Sequence, residues 1–157
     1  MKFKNIESFK KNLEKRLVAN PHNNSLKAVG RSTLLVTSTA VQSIARGGTG
    51  KTYEKYEPRR THTASAPKQP PATDTGYLIS QITSQIKTEP SGAVVGQIIS
   101  SAPYSAALEF GTTNMTERPF MQPALEKNKR KIVDIFKKQG LIKVLDSFNY
   151  RVLSIQH

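Results

Sequence analysis

Residues 83–100 read TSQIKTEPSGAVVGQIIS. Two runs with β-branched residues, "TSQIKT" at 83–88 and "AVVGQIIS" at 93–100, flank Glu89-Pro90-Ser91-Gly92. Pro and Gly stop regular structure, so the pattern predicts two strands joined as a hairpin. Just before it, "GYLISQI" at 76–82 reads as a short turn or helix, and just after it "YSAALEF" at 104–110 reads as a short helical turn.

Longer helices are expected on either side. Arg118-Pro119-Phe120 leads into a helix over about 121–139, with Pro123 in the first turn, where a missing N–H costs little. Met121, Leu125, Ile132, Ile135 and Phe136 form its apolar stripe, and Gly140 stops it. Upstream, Phe3, Ile6, Phe9, Leu13 and Leu17 predict an amphipathic helix over 4–18, which "NPHNN" at 20–24 then breaks. Ser25 is the expected N-cap of a second helix, with Leu26, Val29, Thr33, Val36, Ala40 and Ile44 on one face and an end near Arg46. The tail, "LIKVLDSFNYRVLSIQH", is apolar enough to pack as a further strand or helix.

Apolar periodicity disappears over residues 47–75, which predicts a long loop or arm protruding from a single domain of residues 1–157. At its start, Ala45-Arg46-Gly47-Gly48-Thr49-Gly50-Lys51-Thr52 fits a loose phosphate-binding loop with Ala in place of the first Gly. Such a loop needs a strand before the glycines and a helix after them, so that backbone N–H groups face the phosphate. Here a helix precedes, and "YEKYEPRR" follows without an apolar stripe. The octet is therefore expected to be a flexible basic loop. Asp74-Thr75-Gly76 matches the aspartic-protease triplet, but "PPAT" precedes it and Tyr77 follows. It is read as a turn in which Asp74 or Thr75 caps the next element and Gly76 supplies an unusual backbone angle.

Cysteine is absent, so disulfides, thiolate nucleophiles and cysteine metal sites are excluded. His22, His62 and His157 form no ligand-spaced pair. No apolar run approaches the roughly 18–20 residues of a membrane helix, and the charged N-terminus lacks the apolar core of a secretory signal. No catalytic, cofactor or metal site is expected. Glu109, flanked by Leu108 and Phe110, is expected to act structurally or at an interface, by pairing with Arg118 or by accepting N–H bonds at the "FGTT" turn.

The formal net charge of +13 is concentrated in residues 1–16, 46–68 and 127–143. A field this positive favours polyanions, either nucleic acid or acidic protein surfaces. In the arm, Tyr53 and Tyr56 interleave with Lys51, Lys55, Arg59 and Arg60, a mixture suited to base stacking and phosphate contact. A free-standing basic nucleic-acid-binding module is thus one functional class to weigh.

A second class comes from a resemblance. "SAPKQPPATDTGYLISQI" at 65–82 is similar to S-A-P-G-x-x-P-A-x-x-T-G-x-L-x-x-S-I, with Lys68 and Gln81 where that pattern has Gly and Ser. "VVGQIISSAPYSAALEFGTTNMTERPFMQPALEKN" at 94–128 resembles V-G, then Y-A-x-x-x-E-F-G-T, then R-P-F-x-x-P-A-L. These patterns belong to the gene-10-like neck or tail-completion proteins of lambda-like long-tailed phages. The resemblance implies an α+β fold, helices packed on a small antiparallel sheet, assembled as a ring of six or twelve copies at the head–tail junction of the virion. It implies synthesis in the host cytoplasm, contact with neighbouring neck, connector or tail-tube proteins, possible contact with DNA in the channel, and no catalysis. Tyr104, Glu109, Phe110, Gly111, Thr112, Arg118, Pro119, Phe120 and Pro123 become the candidate structural or subunit-interface residues. Tyr53, Tyr56, Arg59 and Arg60 become the candidate arm contacts.

Overall fold

The computed structural model describes residues 6–56 and 59–141. In chain order the elements are α1 (Ile6–Ala45), β1 (Thr52–Tyr56), β2 (Arg59–Thr63), α2 (Tyr77–Ser80), β3 (Ile82–Thr88), β4 (Val94–Ser100), α3 (Ser105–Phe110) and α4 (Met121–Lys138). The fold is α+β, with two separate antiparallel two-stranded ladders, β1–β2 and β3–β4.

The predicted break at residues 20–24 does not occur. One helix runs through Pro21, although an interior proline loses a backbone hydrogen bond and costs about 3 kcal/mol. Ser25 is not an N-cap but lies inside α1, where its hydroxyl donates to the Pro21 carbonyl at 2.9 Å. One of the polar residues that resemble a breaker has a tertiary use: the Asn24 side chain donates to the carbonyl of Gln139, at the end of α4, at 3.2 Å. That far end closes as predicted. Gly140 has a φ of 70°, and the Gly140 and Leu141 N–H groups bond back to the Lys137 and Phe136 carbonyls. The predicted tail lies outside the described residues beyond Leu141.

Helix α1 is the centre of the domain, contacting the β3–β4 hairpin and α4. Of its predicted stripe, Val29, Thr33, Val36, Ala40 and Ile44 are buried and Leu26 is half-buried. Val36, Ala40 and Ile44 join Leu78, Ile82, Ile98, Phe120, Met121 and Ile132 in one apolar cluster. The β3–β4 register pairs Ile82 with Ser100 and Ile86 with Gly96, so Gly96, Ile98 and Ser100 face inward on alternate residues. Gly96 is where α1 crosses the strand. A Cβ there would lie 2.1 Å from the Thr33 hydroxyl and 2.9 Å from a Val29 methyl. Two of the buried polar side chains are satisfied within the core, whereas the Ser32 and Ser100 hydroxyls have no hydrogen-bond partner among the described residues. Thr33 donates to the Val29 carbonyl at 2.8 Å, and Asn128 of α4 donates to Thr39 of α1 at 2.9 Å and to the Ala124 carbonyl at 2.8 Å.

Residues 47–75 are more ordered than their composition predicts. Gly47, with a φ of 85°, ends α1, and the chain then forms the β1–β2 hairpin, registered from Thr52–Thr63 to Tyr56–Arg59. Its base is closed by Gly50 N–H to the Ala64 carbonyl (2.8 Å) and Ala64 N–H to the Lys51 carbonyl (3.0 Å). The return segment follows the body of the domain, with the Lys68 N–H on the Glu117 carbonyl and the Thr73 N–H on the Ile44 carbonyl.

Candidate interaction surface

The phosphate-loop-like octet resolves into a helix end and a hairpin base. Gly48 is required for close approach, since a Cβ there would sit 2.1 Å from the Thr63 carbonyl oxygen. Lys51 extends over the Tyr53 ring, 5.5 Å from its centre. The glycines thus serve chain geometry, and the order helix–Gly–strand is the reverse of the strand–Gly–helix order that presents N–H groups to a phosphate.

Strand periodicity sorts the four predicted arm contacts onto two faces. Tyr53, Lys55, Arg60 and His62 share one face, and Tyr56 and Arg59 share the other. The first face is turned to the body through Asp74. The Arg60 guanidinium donates to the Asp74 carboxylate at 2.8 Å and to its backbone carbonyl at 3.3 Å. Lys55 pairs with the second carboxylate oxygen, and His62 Nδ1 lies 3.8 Å from the first. The Lys55 hydrogen bond, with the Arg60, Lys55 and His62 charges, holds the Asp74 carboxyl below its ordinary value against a smaller opposing effect of burial. Arg60 is therefore an internal clamp, and Asp74 is its anchor rather than a helix cap. Thr75 has the local turn role, its hydroxyl accepting the Tyr77 N–H at 3.3 Å, and Gly76 has the expected left-handed angle, with a φ of 80°. Tyr56, 75% exposed, and Arg59 remain on the outward face.

The motif residues of the second half converge on Glu109. This side chain is buried, and its carboxylate accepts the backbone N–H groups of Phe120 (2.9 Å), Met121 (3.1 Å) and Gln122 (2.8 Å). These are orphan donors at the start of α4, where the helix dipole also favours a negative charge. Neither predicted partner, the "FGTT" turn nor the Arg118 side chain, receives this carboxylate. Arg118 instead contributes its N–H to the Leu108 carbonyl at 2.6 Å, and Pro119 fixes the next step of the approach. Phe120 follows at 0% exposure, and Pro123 occupies an exposed position in the first turn of α4.

Between Glu109 and Arg118 the chain reverses tightly. Gly111 has a φ of 75°, and a Cβ there would meet the Met115 carbonyl at 2.9 Å. Thr112 and Met115 exchange backbone hydrogen bonds, and the Thr112 hydroxyl accepts the Asn114 N–H at 3.3 Å. Phe110 is 60% exposed and Tyr104 44%. Tyr104 sits 6.2 Å from Tyr77, ring centre to ring centre. Burial, and secondarily Tyr77, raises the Tyr104 hydroxyl above its ordinary value.

A cleft of about 390 Å³ separates these two regions, with His62, Asp74, Tyr77, Tyr104 and Arg118 in its walls. Among the described residues no group of three His, Asp or Glu side chains is arranged to hold a metal ion, and no helix is long and apolar enough to cross a membrane. Sequence reasoning missed Asp74 as the anchor of the hairpin and Gly96 as a crossing point. Comparison with protein-family models, curated proteins and solved structures finds no match for this chain.

Proposed function

We propose that this chain is a virion structural protein: a ring subunit at the phage head–tail junction, of the neck, tail-completion or tail-terminator kind. It acts through subunit–subunit contacts and performs no catalysis. Six or twelve copies surround the channel, against connector or tail-tube proteins on either side. The main support is the way residue type matches position along the two stretches that carry the resemblance. Glu109 caps α4, Gly96 admits α1, Gly76 and Gly111 have positive φ, and Phe120 fills the core. Lys68 is the most telling, because it stands where the pattern has Gly and has a φ of 62°, a region that favours glycine. Tyr104 and Phe110, aromatic and largely outside the core, suit contact with a neighbour.

A nucleic-acid-binding module is the second reading, favoured by Tyr56 and Arg59 on the outward face of the hairpin. Light scattering and electron microscopy of the purified chain distinguish the two. Closed rings, and density at the head–tail junction of an intact particle, are expected. A monomer whose DNA affinity falls steeply with salt would favour the second reading instead.

A further inference from the structure

A second groove, of about 410 Å³, lies between α1 and α4. One wall is a helical stripe of α1 that includes Leu35, Ser38 and Gln42, continued by Arg46 just past the helix end, and the other is a stripe of α4 with Pro123, Lys127 and Lys131. At 1.5 Å per residue these stripes run for roughly 12–16 Å, two to three helical turns. The base is closed by Phe120, Ala124 and Asn128. Hydroxyls along the groove are already used: Ser38 and Thr39 donate to the Leu35 carbonyl, and Ser43 to that of Ala40. The cations are not. Arg46, Lys127 and Lys131 are exposed and have no ion-pair partner among the described residues, and no Asp or Glu lines the groove.

We infer that this groove receives an acidic, amphipathic segment of a different protein, its apolar side against Leu35, Pro70 and Pro123 and its carboxylates against Arg46, Lys127 and Lys131. The assignment rests on the assembly role proposed above, to which it adds the chemistry of a neighbour. Charge complementarity selects the occupant. A second copy is a poor candidate: the chain carries +13, and no two of its 11 acidic residues are adjacent. Three of those acids are also engaged, Asp74 with Lys55, Glu109 beneath α4 and Glu126 with Lys129. Nucleic acid fits less well. Phosphates could meet the three cations but would leave Leu35, Pro70 and Pro123 uncovered, and Phe120, the aromatic at the base, is fully buried and offers no face for stacking.

The test is fluorescence anisotropy with the full chain and three labelled probes. These are an amphipathic Leu/Glu helical peptide, the same composition scrambled, and a short DNA duplex. The amphipathic peptide is expected to bind more tightly than the scrambled one. The double variant Lys127→Glu/Lys131→Glu should weaken it on the order of tenfold, with melting unchanged and duplex binding reduced much less, only by the fall in net charge. Because Lys127 and Lys131 are exposed, the variant should fold, and Ser38→Trp, which fills the groove without touching charge, should also block the peptide. The inference is overturned if no peptide binds at low salt, if the scrambled peptide binds equally well, or if the variants leave peptide binding intact. A loss of duplex affinity as large as that of the peptide would overturn it as well, marking a phosphate site. Ring formation is read separately from the mass of the unliganded chain, so the assembly role can fail while peptide binding succeeds, or the reverse.

Discussion

The carboxylate of Glu109 lies 2.9 Å from the backbone nitrogen of Phe120, and the same side chain accepts the next two N–H groups of α4. One acid on α3 thus supplies the cap that α4 lacks in its own sequence, where no side-chain cap is made. Glu109→Ala leaves these N–H groups without a partner inside the protein and is expected to cost about 3 kcal/mol. Glu109→Gln retains one accepting oxygen without the charge and should cost less. Urea unfolding of the three proteins gives the order, and equal stability of Ala and wild type would refute the capping role.

Phe120 lies between Pro119 and Pro123 and is fully buried. Phe120→Ala should lose roughly 3–5 kcal/mol by removing a core side chain whose cavity cannot collapse around a proline-fixed backbone. Thermal melting checks this directly, and a melting point within a degree of wild type would show that the site repacks.

Lys68 bears a left-handed backbone angle that a side chain resists. Lys68→Gly should therefore stabilise the fold by up to about 1 kcal/mol, the relief of strain exceeding the added freedom of the unfolded chain. A destabilised variant would mean that the Lys68 side chain contributes more than its backbone costs.

Asp74 binds the hairpin to the body through Lys55, Arg60 and His62. Its carboxyl is held below the ordinary value, so its folded pKa is depressed. The contribution to stability is present above the unfolded value, near 3.9, and is lost as pH falls through the lower folded value. The hairpin should stay docked throughout the neutral range and release only in acid. Asp74→Asn should free it at neutral pH. Limited trypsin digestion reports this: cleavage at Lys55 and Arg59 should accelerate in the variant while the helical signal stays constant. Identical digestion rates would show that the backbone bonds at the base hold the hairpin unaided.

Lys51 lies over Tyr53 in a hairpin base rather than in a phosphate cradle. Lys51→Ala is expected to leave folding and oligomer mass unchanged, with no nucleotide turnover in either protein. Turnover of ATP that this substitution abolishes would require a different account of the octet.

Local chemistry was enough for those parts of the fold whose signal is local. The β3–β4 hairpin is legible because Pro90 and Gly92 punctuate two β-prone runs, and α4 because its apolar stripe runs to Phe136 and Gly140 then stops the helix. The buried face of α1 from Val29 to Ile44 is likewise written in a helical period. Three features depended on partners distant in sequence. Helix α1 continues through Pro21, and Asn24, which reads as part of a breaker, caps a carbonyl of α4 more than a hundred residues away. The β1–β2 hairpin escaped notice because its strands are polar on both faces, so period-two burial leaves no alternation to read; ion pairing with Asp74 takes the place of an apolar face. Glu109 was recognisable as an acid among apolar neighbours, but its partners are backbone N–H groups. Every residue but proline has such a group, so sequence cannot single them out, and only the packing of α3 against the start of α4 brings them within reach.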